Sequence, residues 1–505
     1  MTLDPNLPGR SFRRPPAFGA LARAFAACLA ARILLAPSAA HAQAAPPSPH
    51  EDQAFDFMNV LSNNGLHDLE DEWWNAYGQA TYISSWKLPF QAPYTNANGS
   101  VNSLWPDAER SYTSTVTLYL GVRLWSGARA YLVPEVISEV PLSQLRGIGG
   151  SIQNFELQKT GSPTPQLYRA RTFLRQTIEL GGAPVVEVSN PMQLAAKWRS
   201  RRIVLTLGTF SILDIFDRSN VNWDPRRTFL NMAFMTHAAW DFAADARGYS
   251  FGGTAELYWD DWVLRVGRMA PPQEPNVLPL DPRIDLHYSD SFELEHDHEI
   301  AGRKGVVRLL AYRNEEVTGR FSEAIAAFEA DPSKNAADCP YFNYGSGNFQ
   351  APSLCWVRRP NTKVGIGFNL EQYVVKDDIG VFARGMYSDG RTEVDAFDPA
   401  DRSLSFGVVA KGSPWHRHFD VAGAGVAASW ISAEHARFLA MGGVDGFVGD
   451  GRLNQAAESV VDVFYSFNLF KALWLTADYQ HLWNPGFNAD RGPVDILSGR
   501  VHAEF

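Results

Sequence analysis

Residues 459–469 read Ser-Val-Val-Asp-Val-Phe-Tyr-Ser-Phe-Asn-Leu, and after a two-residue gap residues 472–482 read Ala-Leu-Trp-Leu-Thr-Ala-Asp-Tyr-Gln-His-Leu. In the first run Val461, Val463, Tyr465, Phe467 and Leu469 share one parity, against Asp462, Ser466 and Asn468 on the other. In the second, Leu473, Leu475, Ala477 and Tyr479 oppose Trp474, Thr476, Asp478 and Gln480. Successive side chains of a strand point to opposite faces, so period-two alternation gives a sheet with one apolar and one polar face. Two such runs joined by a tight turn form an antiparallel hairpin. A strand of ~10 residues that is apolar outward, polar inward and aromatic near its ends is the unit of a membrane-spanning β-barrel.

The pattern repeats outward from this hairpin. Tyr112, Ser114, Val116, Leu118 and Leu120 alternate with Thr113, Thr115, Thr117, Tyr119 and Gly121. Val364, Ile366, Phe368 and Leu370 alternate with Lys363, Gly365, Gly367, Asn369 and Glu371, and Leu404, Phe406 and Val408 with Ser403, Ser405 and Gly407. The last residues do the same, with Val501, Ala503 and Phe505 against Arg500, His502 and Glu504. Short turns alternate with long Gly/Asn/Asp/Pro-rich connections such as 328–360 and 486–493. The fold expected is all-β: a transmembrane antiparallel β-barrel of about 16 strands over residues 73–505, a size that leaves a water-filled lumen. One closed sheet can absorb a chain of 505 residues, and no apolar run of ~20 residues follows residue 42 to suggest a membrane helix.

Residues 1–42 read as a secretory signal peptide. Arg10, Arg13 and Arg14 supply its basic part, an Ala/Leu-rich stretch runs to Leu35, and Ala40-His41-Ala42 is a small-x-small cleavage site. Residues 43–72 read as a Pro-rich linker and a short helical segment spaced by Phe55, Met58, Leu61 and Leu66, broken at its polar centre, Ser62 to Gly65. The formal net charge is −10 at pH 7, and it becomes more negative without residues 1–42, which carry five arginines and one aspartate; that balance argues against nucleic acid as a partner. Of three cysteines, Cys28 leaves with the signal. Cys339 and Cys355 then flank a Gly/Asn/Ser/Pro-rich segment of an exported chain, where a loop-closing disulfide is the favoured reading over two free thiols.

Catalytic signatures are missing: neither Gly-x-Ser-x-Gly nor His-Glu-x-x-His occurs, so an enzyme is not expected. An outer-membrane barrel enzyme would need roughly 8 to 12 strands around a packed interior, and an export channel would need a coiled coil or helical repeat in residues 51–74. The run Asp285, His287, Asp290, Glu293, Glu295, His296, Asp297, His298 and Glu299 fits no zinc spacing and reads as a hydrated or lumen-facing acidic segment; no metal or cofactor is expected. Lumen parity selects Arg169, Arg171 and Arg175 on one predicted strand, together with Glu371, Arg384, Asp462, Asp478 and Arg500. Arginine suits a polar passage because its rigid fork holds hydroxyl pairs, but the same residues could form a structural ladder with carboxylates on the wall. Trp259, Trp262, Trp474 and Trp483 are either stacking surfaces in the lumen or, more commonly in barrels, lipid-interface girdle residues.

Several ordered stretches resemble the carbohydrate-selective (OprB-type) porins across nearly the whole length after residue 42. They are Tyr77-Gly78-Gln79, Ala92-Pro93-Tyr94, Asn102-Ser103-Leu104, Leu120-Gly121-Val122-Arg123-Leu124-Trp125, Pro134-Glu135, Pro141-Leu142-Ser143 and Asn154-Phe155-Glu156. The middle adds Gly208-Thr209-Phe210-Ser211, Asp214-Ile215-Phe216-Asp217, Asp224-Pro225-Arg226, Phe229-Leu230-Asn231, Trp240-Asp241 and Ala244-Asp245-Ala246-Arg247-Gly248-Tyr249; the end adds Asn484-Pro485-Gly486 and Asp490-Arg491-Gly492-Pro493-Val494. Departures are Thr209, where the family often carries Lys, Arg218, near which it often carries Asn, and the segment between Cys339 and Cys355. The resemblance implies an outer-membrane porin passing mono- or oligosaccharides without energy coupling. It further implies insertion by the outer-membrane assembly machinery, for which a terminal Phe is typical, and a monomer or homotrimer in the lipid. Alternation alone would equally serve a general porin.

Overall fold

A computed structural model describes residues 57–158, 161–222, 224–333 and 350–505, all within one compact unit, Asp52–Phe505. The predicted signal peptide and linker, and Cys339, lie outside the described residues.

Sixteen antiparallel strands close into a single barrel, each paired with its sequence neighbours and the first with the last. They are β1 (Trp74–Lys87), β2 (Glu109–Trp125), β3 (Ala128–Val140), β4 (Gln166–Glu187), β5 (Ala196–Phe210), β6 (Ser250–Trp259), β7 (Trp262–Met269), β8 (Tyr288–Ile300), β9 (Arg303–Thr318), β10 (Arg359–Val375), β11 (Ile379–Ser388), β12 (Arg402–Gly412), β13 (Arg417–Trp430), β14 (Glu458–Phe470), β15 (Leu473–Trp483) and β16 (Val494–Glu504). Closure satisfies every interstrand backbone group that a bilayer could not, which is why the membrane selects a closed sheet. The helix expected near the N-terminus is present as α1 (Phe57–Asn63), and the chain turns out of it at Gly65.

Face assignment follows the parity of the sequence. On β2, Val116, Leu118 and Leu120 are exposed to the outside while Thr113, Thr115 and Thr117 are buried inward. The deciding hairpin behaves identically: Val463, Tyr465, Leu475 and Tyr479 face out, Asp462, Ser466, Thr476 and Gln480 face in. Aromatic girdles mark both ends of the wall. Trp86, Tyr387, Trp430 and Trp483 are exposed near the long loops; Trp125, Trp259, Trp262 and Phe470 are exposed near the short turns. Trp259, Trp262 and Trp483 are therefore girdle residues, whereas Trp474 is buried on the inner face.

The long connections lie at one end, and they are not only water-facing. Segment 211–249 between β5 and β6 folds into the barrel and places Ile212, Phe216, Phe229, Phe234, Trp240 and Phe242 in buried apolar clusters with inward wall residues such as Phe173, Phe382 and Phe464. Phe229 and Phe234 stack at 4.6 Å, with Phe464 edge-on to Phe229 at 4.9 Å. A one-turn helix in this segment, α2 (Met232–Met235), is capped by the Asn231 side chain, which accepts from the Ala233 N–H. Near the mouth, α3 (Phe321–Ala330) and α4 (Ala433–Ala440) pack through Phe321 and Phe438.

Candidate functional site

Five of the residues selected by parity face inward but lie beneath the 211–249 loop. Glu371 accepts from the Asn220 N–H (2.9 Å) and the Ser219 hydroxyl, and pairs with Arg308 at 3.3 Å. Arg384 pairs with Asp217 at 3.1 Å and donates to the Phe234 carbonyl at 2.9 Å. Asp462 accepts from the Asn231 N–H at 3.2 Å, and Asp478 from Gln480, which in turn accepts from the Asn231 side chain. Arg500 donates to the carbonyls of Pro225 (2.6 Å) and Thr228 (3.1 Å). Glu371, Arg384, Asp462 and Arg500 thus each satisfy a polar group of the loop that would otherwise be buried unpaired, which is costly, while Asp478 holds Gln480, which meets the loop at Asn231. Within the loop, burial raises the Asp217 carboxyl, but Arg384 and His237 beside it outweigh burial and hold it below its ordinary value. Farther round the wall, the acidic run supplies Glu293 and Glu295, which pair with Arg265 at 2.6 and 3.0 Å; Arg308 joins Glu295 at 2.6 Å. These contacts make a structural ladder.

The three arginines of β4 do not share a face. The β3–β4 register pairs Val133 with Arg171 and Pro134 with Arg169, so Ala170 is an extra residue in a β-bulge. A bulge reverses parity, and Arg169 turns to the outer face with Pro134, while Arg171 and Arg175 face inward. Arg171 makes two parallel bonds to Asp214 of the loop, 2.6 and 2.8 Å, and lies over the Tyr249 ring at 5.0 Å. Arg175 donates to the Met192 carbonyl at 3.1 Å.

Among its described residues the loop meets water at Arg218 and Asn220, which are exposed, and at partly exposed stretches, one of which is Asp224-Pro225-Arg226-Arg227. Arg226 sits 3.0 Å from Glu156 and 3.9 Å from Glu135; Arg227 lies over the inward Trp474 ring at 3.9 Å and pairs with Glu504. Tyr168 and Tyr249 both donate to the same Glu135 carboxylate, and Arg247 lies over Tyr168 at 4.4 Å. The side chains of Arg226 and Arg227 are 21% and 22% exposed, against 2% for Glu156 and 4% for Glu135. Buried Glu156 and Glu135 therefore orient the Arg226 guanidinium, while Glu504 on Arg227 is itself 28% exposed, so two cationic donors face water beside aromatic rings and beside the carboxylates of Glu504 and Asp224. Neighbouring Glu156 and Glu135 raise the Arg226 pKa against its burial, so it stays charged. Such a surface can donate to hydroxyls and stack on the apolar side of a ring.

Asp224, His502 and Glu504 bring ligand atoms within 4.8 Å of one another. His502 already bonds Thr81 and Glu504, and Glu504 bonds Arg227, so these atoms are engaged within the protein. Cys355 is disulfide-bonded. Parity reasoning missed Glu135, Glu156, Tyr168, Arg226, Arg227, Arg247 and Tyr249. All but Tyr168 and Arg227 stand within the stretches that carry the family resemblance, and Arg227 directly follows one of them.

The sequence pattern of the family described as "Carbohydrate-selective porin, OprB family" matches residues 112–505. A high-pH structure of Pseudomonas putida OprB is similar at a TM-score of 0.62 and 14% identity, with 88% of this chain and 96% of that one covered; at that identity the likeness speaks for the fold. The low-pH structure of the same protein superposes at 0.45 with 12% identity, covering 90% and 99%, and a Salmonella typhi OmpF complex with daunomycin at 0.42 with 8%, covering 86% and 97%. No curated protein matches in sequence.

Proposed function

The chain belongs to the carbohydrate-selective porin, OprB family, and from that premise we propose that carbohydrates cross its barrel by passive diffusion along the water-open face formed by Arg171, Arg226, Arg227, Tyr168 and Tyr249. It is an outer-membrane porin for carbohydrates, a channel rather than an enzyme. The observation that carries the proposed route is the pair of guanidiniums, Arg226 and Arg227, 21% and 22% exposed on a loop whose aromatic residues are packed into the core. Hydroxyls exchange water for weak, replaceable bonds from the guanidiniums, which lets a solute enter and leave. Arg175 contributes on the periplasmic side; Glu371, Arg384, Asp462, Asp478 and Arg500 act through the loop they hold. Export by removal of residues 1–42, insertion by the outer-membrane assembly machinery and a Cys339–Cys355 loop disulfide complete the proposal.

The test is swelling of liposomes holding the refolded protein, in a size series of sugars against amino acids and organic anions of similar size. Faster entry of sugars, lost when Arg226 and Arg227 are both replaced by Ala, supports this route; entry ordered by size alone makes the channel non-selective. Native mass measurement in detergent decides between monomer and homotrimer.

A further inference from the structure

The hairpin β4–β5 is longer than the barrel needs. The ladder of β3 on β4 ends at Gln176, with a last bond from the Thr177 N–H to the Gly127 carbonyl, and that of β6 on β5 ends at Arg202, so the strand residues beyond them pair in the ladder with each other and project past the wall on the short-turn, periplasmic side. The projection does not continue straight. Gly181 and Gly182 have φ of +119° and +92°, and the β4–β5 register shifts twice between Glu179 and Pro184, so the hairpin bends there.

Its tip, 188–195, is turned back into the barrel mouth. Leu194 is fully buried against the inner wall, its Cδ1 2.5 Å from where a Cβ on Gly121 would lie, and its N–H donates to the Tyr131 hydroxyl. Ser189 bonds the Tyr77 hydroxyl at 2.7 Å, and Arg175 reaches the Met192 carbonyl. At the centre of these contacts is Glu72, just before β1, with a fully buried side chain. It accepts from the Ser189 hydroxyl (2.7 Å), the Ala195 N–H (2.7 Å), Asn75 (3.4 Å) and His67 (3.0 Å). A buried carboxylate with four donors is expensive to displace, so it works as a fixed clasp.

We propose that the tip of the β4–β5 hairpin is a strap that makes a second narrowing at the periplasmic exit, and that Glu72 is the positioning residue that sets the upper size of solute leaving the pore. This rests on the reading that solute passes down the barrel. The Arg226–Arg227 face selects by chemistry; the strap selects by size.

The test uses the whole protein in planar bilayers and in liposomes with a series of malto-oligosaccharides. Replacing residues 183–198 by Asn-Gly is expected to raise single-channel conductance about twofold, as removal of one of two resistances in series would, and to admit longer oligosaccharides. Glu72→Ala is expected to give a partial rise with a noisier open channel, and Glu72→Gln to restore quiet, near wild-type conductance. An Asn75→Cys/Ser189→Cys disulfide, added to Glu72→Ala, is expected to return conductance to wild type on oxidation and release it on reduction, which a misfolded variant does not do. A shortened hairpin with unchanged conductance and unchanged size limit overturns the strap. Failure of the wild type to admit any solute overturns the channel reading instead.

Discussion

Phe505 and Gly78 close the barrel through a matched pair of backbone bonds: the Phe505 N–H donates to Gly78 at 2.9 Å and the Gly78 N–H returns to Phe505 at 2.7 Å. The Phe505 ring lies over residue 78, 2.2 Å from where a Cβ would stand. That ring is at the end of a partly exposed side chain and can swing away. Gly208 is different, because its φ is +142° and a Cβ there would meet the Thr172 carbonyl oxygen at 2.3 Å.

The two glycines therefore separate a flexible clash from a rigid one. Gly78→Ala is expected to cost under ~1 kcal/mol, and Gly208→Ala more than ~2 kcal/mol, since backbone cannot move aside without breaking the ladder. Urea unfolding from detergent, followed by heat-modifiable migration, measures both.

Arg169 and Arg171 stand two residues apart on opposite faces. Arg169→Ala should leave sugar entry unchanged, whereas Arg171→Ala should lower the preference for sugar over a size-matched neutral solute without hydroxyls about tenfold, or ~1.4 kcal/mol for one charge-assisted contact. Equal effects from both would show that the Ala170 bulge does not reverse the face.

Arg384→Ala leaves Asp217 buried without its cation, a loss of roughly 3–5 kcal/mol for a broken buried pair. The loop should loosen rather than the barrel unfold. Conductance is expected to rise while sugar preference falls, read in the same bilayer and swelling assays.

Asp445 offers a pH test in an outer loop. Burial pushes its carboxyl up to about 7, with His435 at 3.3 Å pulling the other way. A carboxyl whose folded pKa is raised contributes stability that is complete below its ordinary value and is lost as pH rises through about 7. Protease nicking within 431–457 should accelerate as pH rises from about 4 to about 7 and level off above that, and Asp445→Asn should flatten that dependence.

What the sequence determined by itself was the barrel, a strand count of about 16 and the faces of those strands whose alternation is regular. Parity is a local property: Val463 and Asp462 face apart whatever the rest of the chain does. Parity failed at Arg169 because the bulge at Ala170 arises from pairing with β3, which β4 alone does not encode. It also placed Glu371, Arg384, Asp462, Asp478 and Arg500 inward without distinguishing a wall that faces water from one under a packed loop. That distinction depends on where residues 211–249 travel. The apolar content of this segment, with Phe216, Phe229, Phe234 and Trp240 outside any alternating strand, was the one legible sign that it enters a core. Height in the barrel, the pairing of Arg171 with Asp214 and the return of 188–195 to Glu72 join residues far apart in the chain, so only the closed tertiary structure decided them.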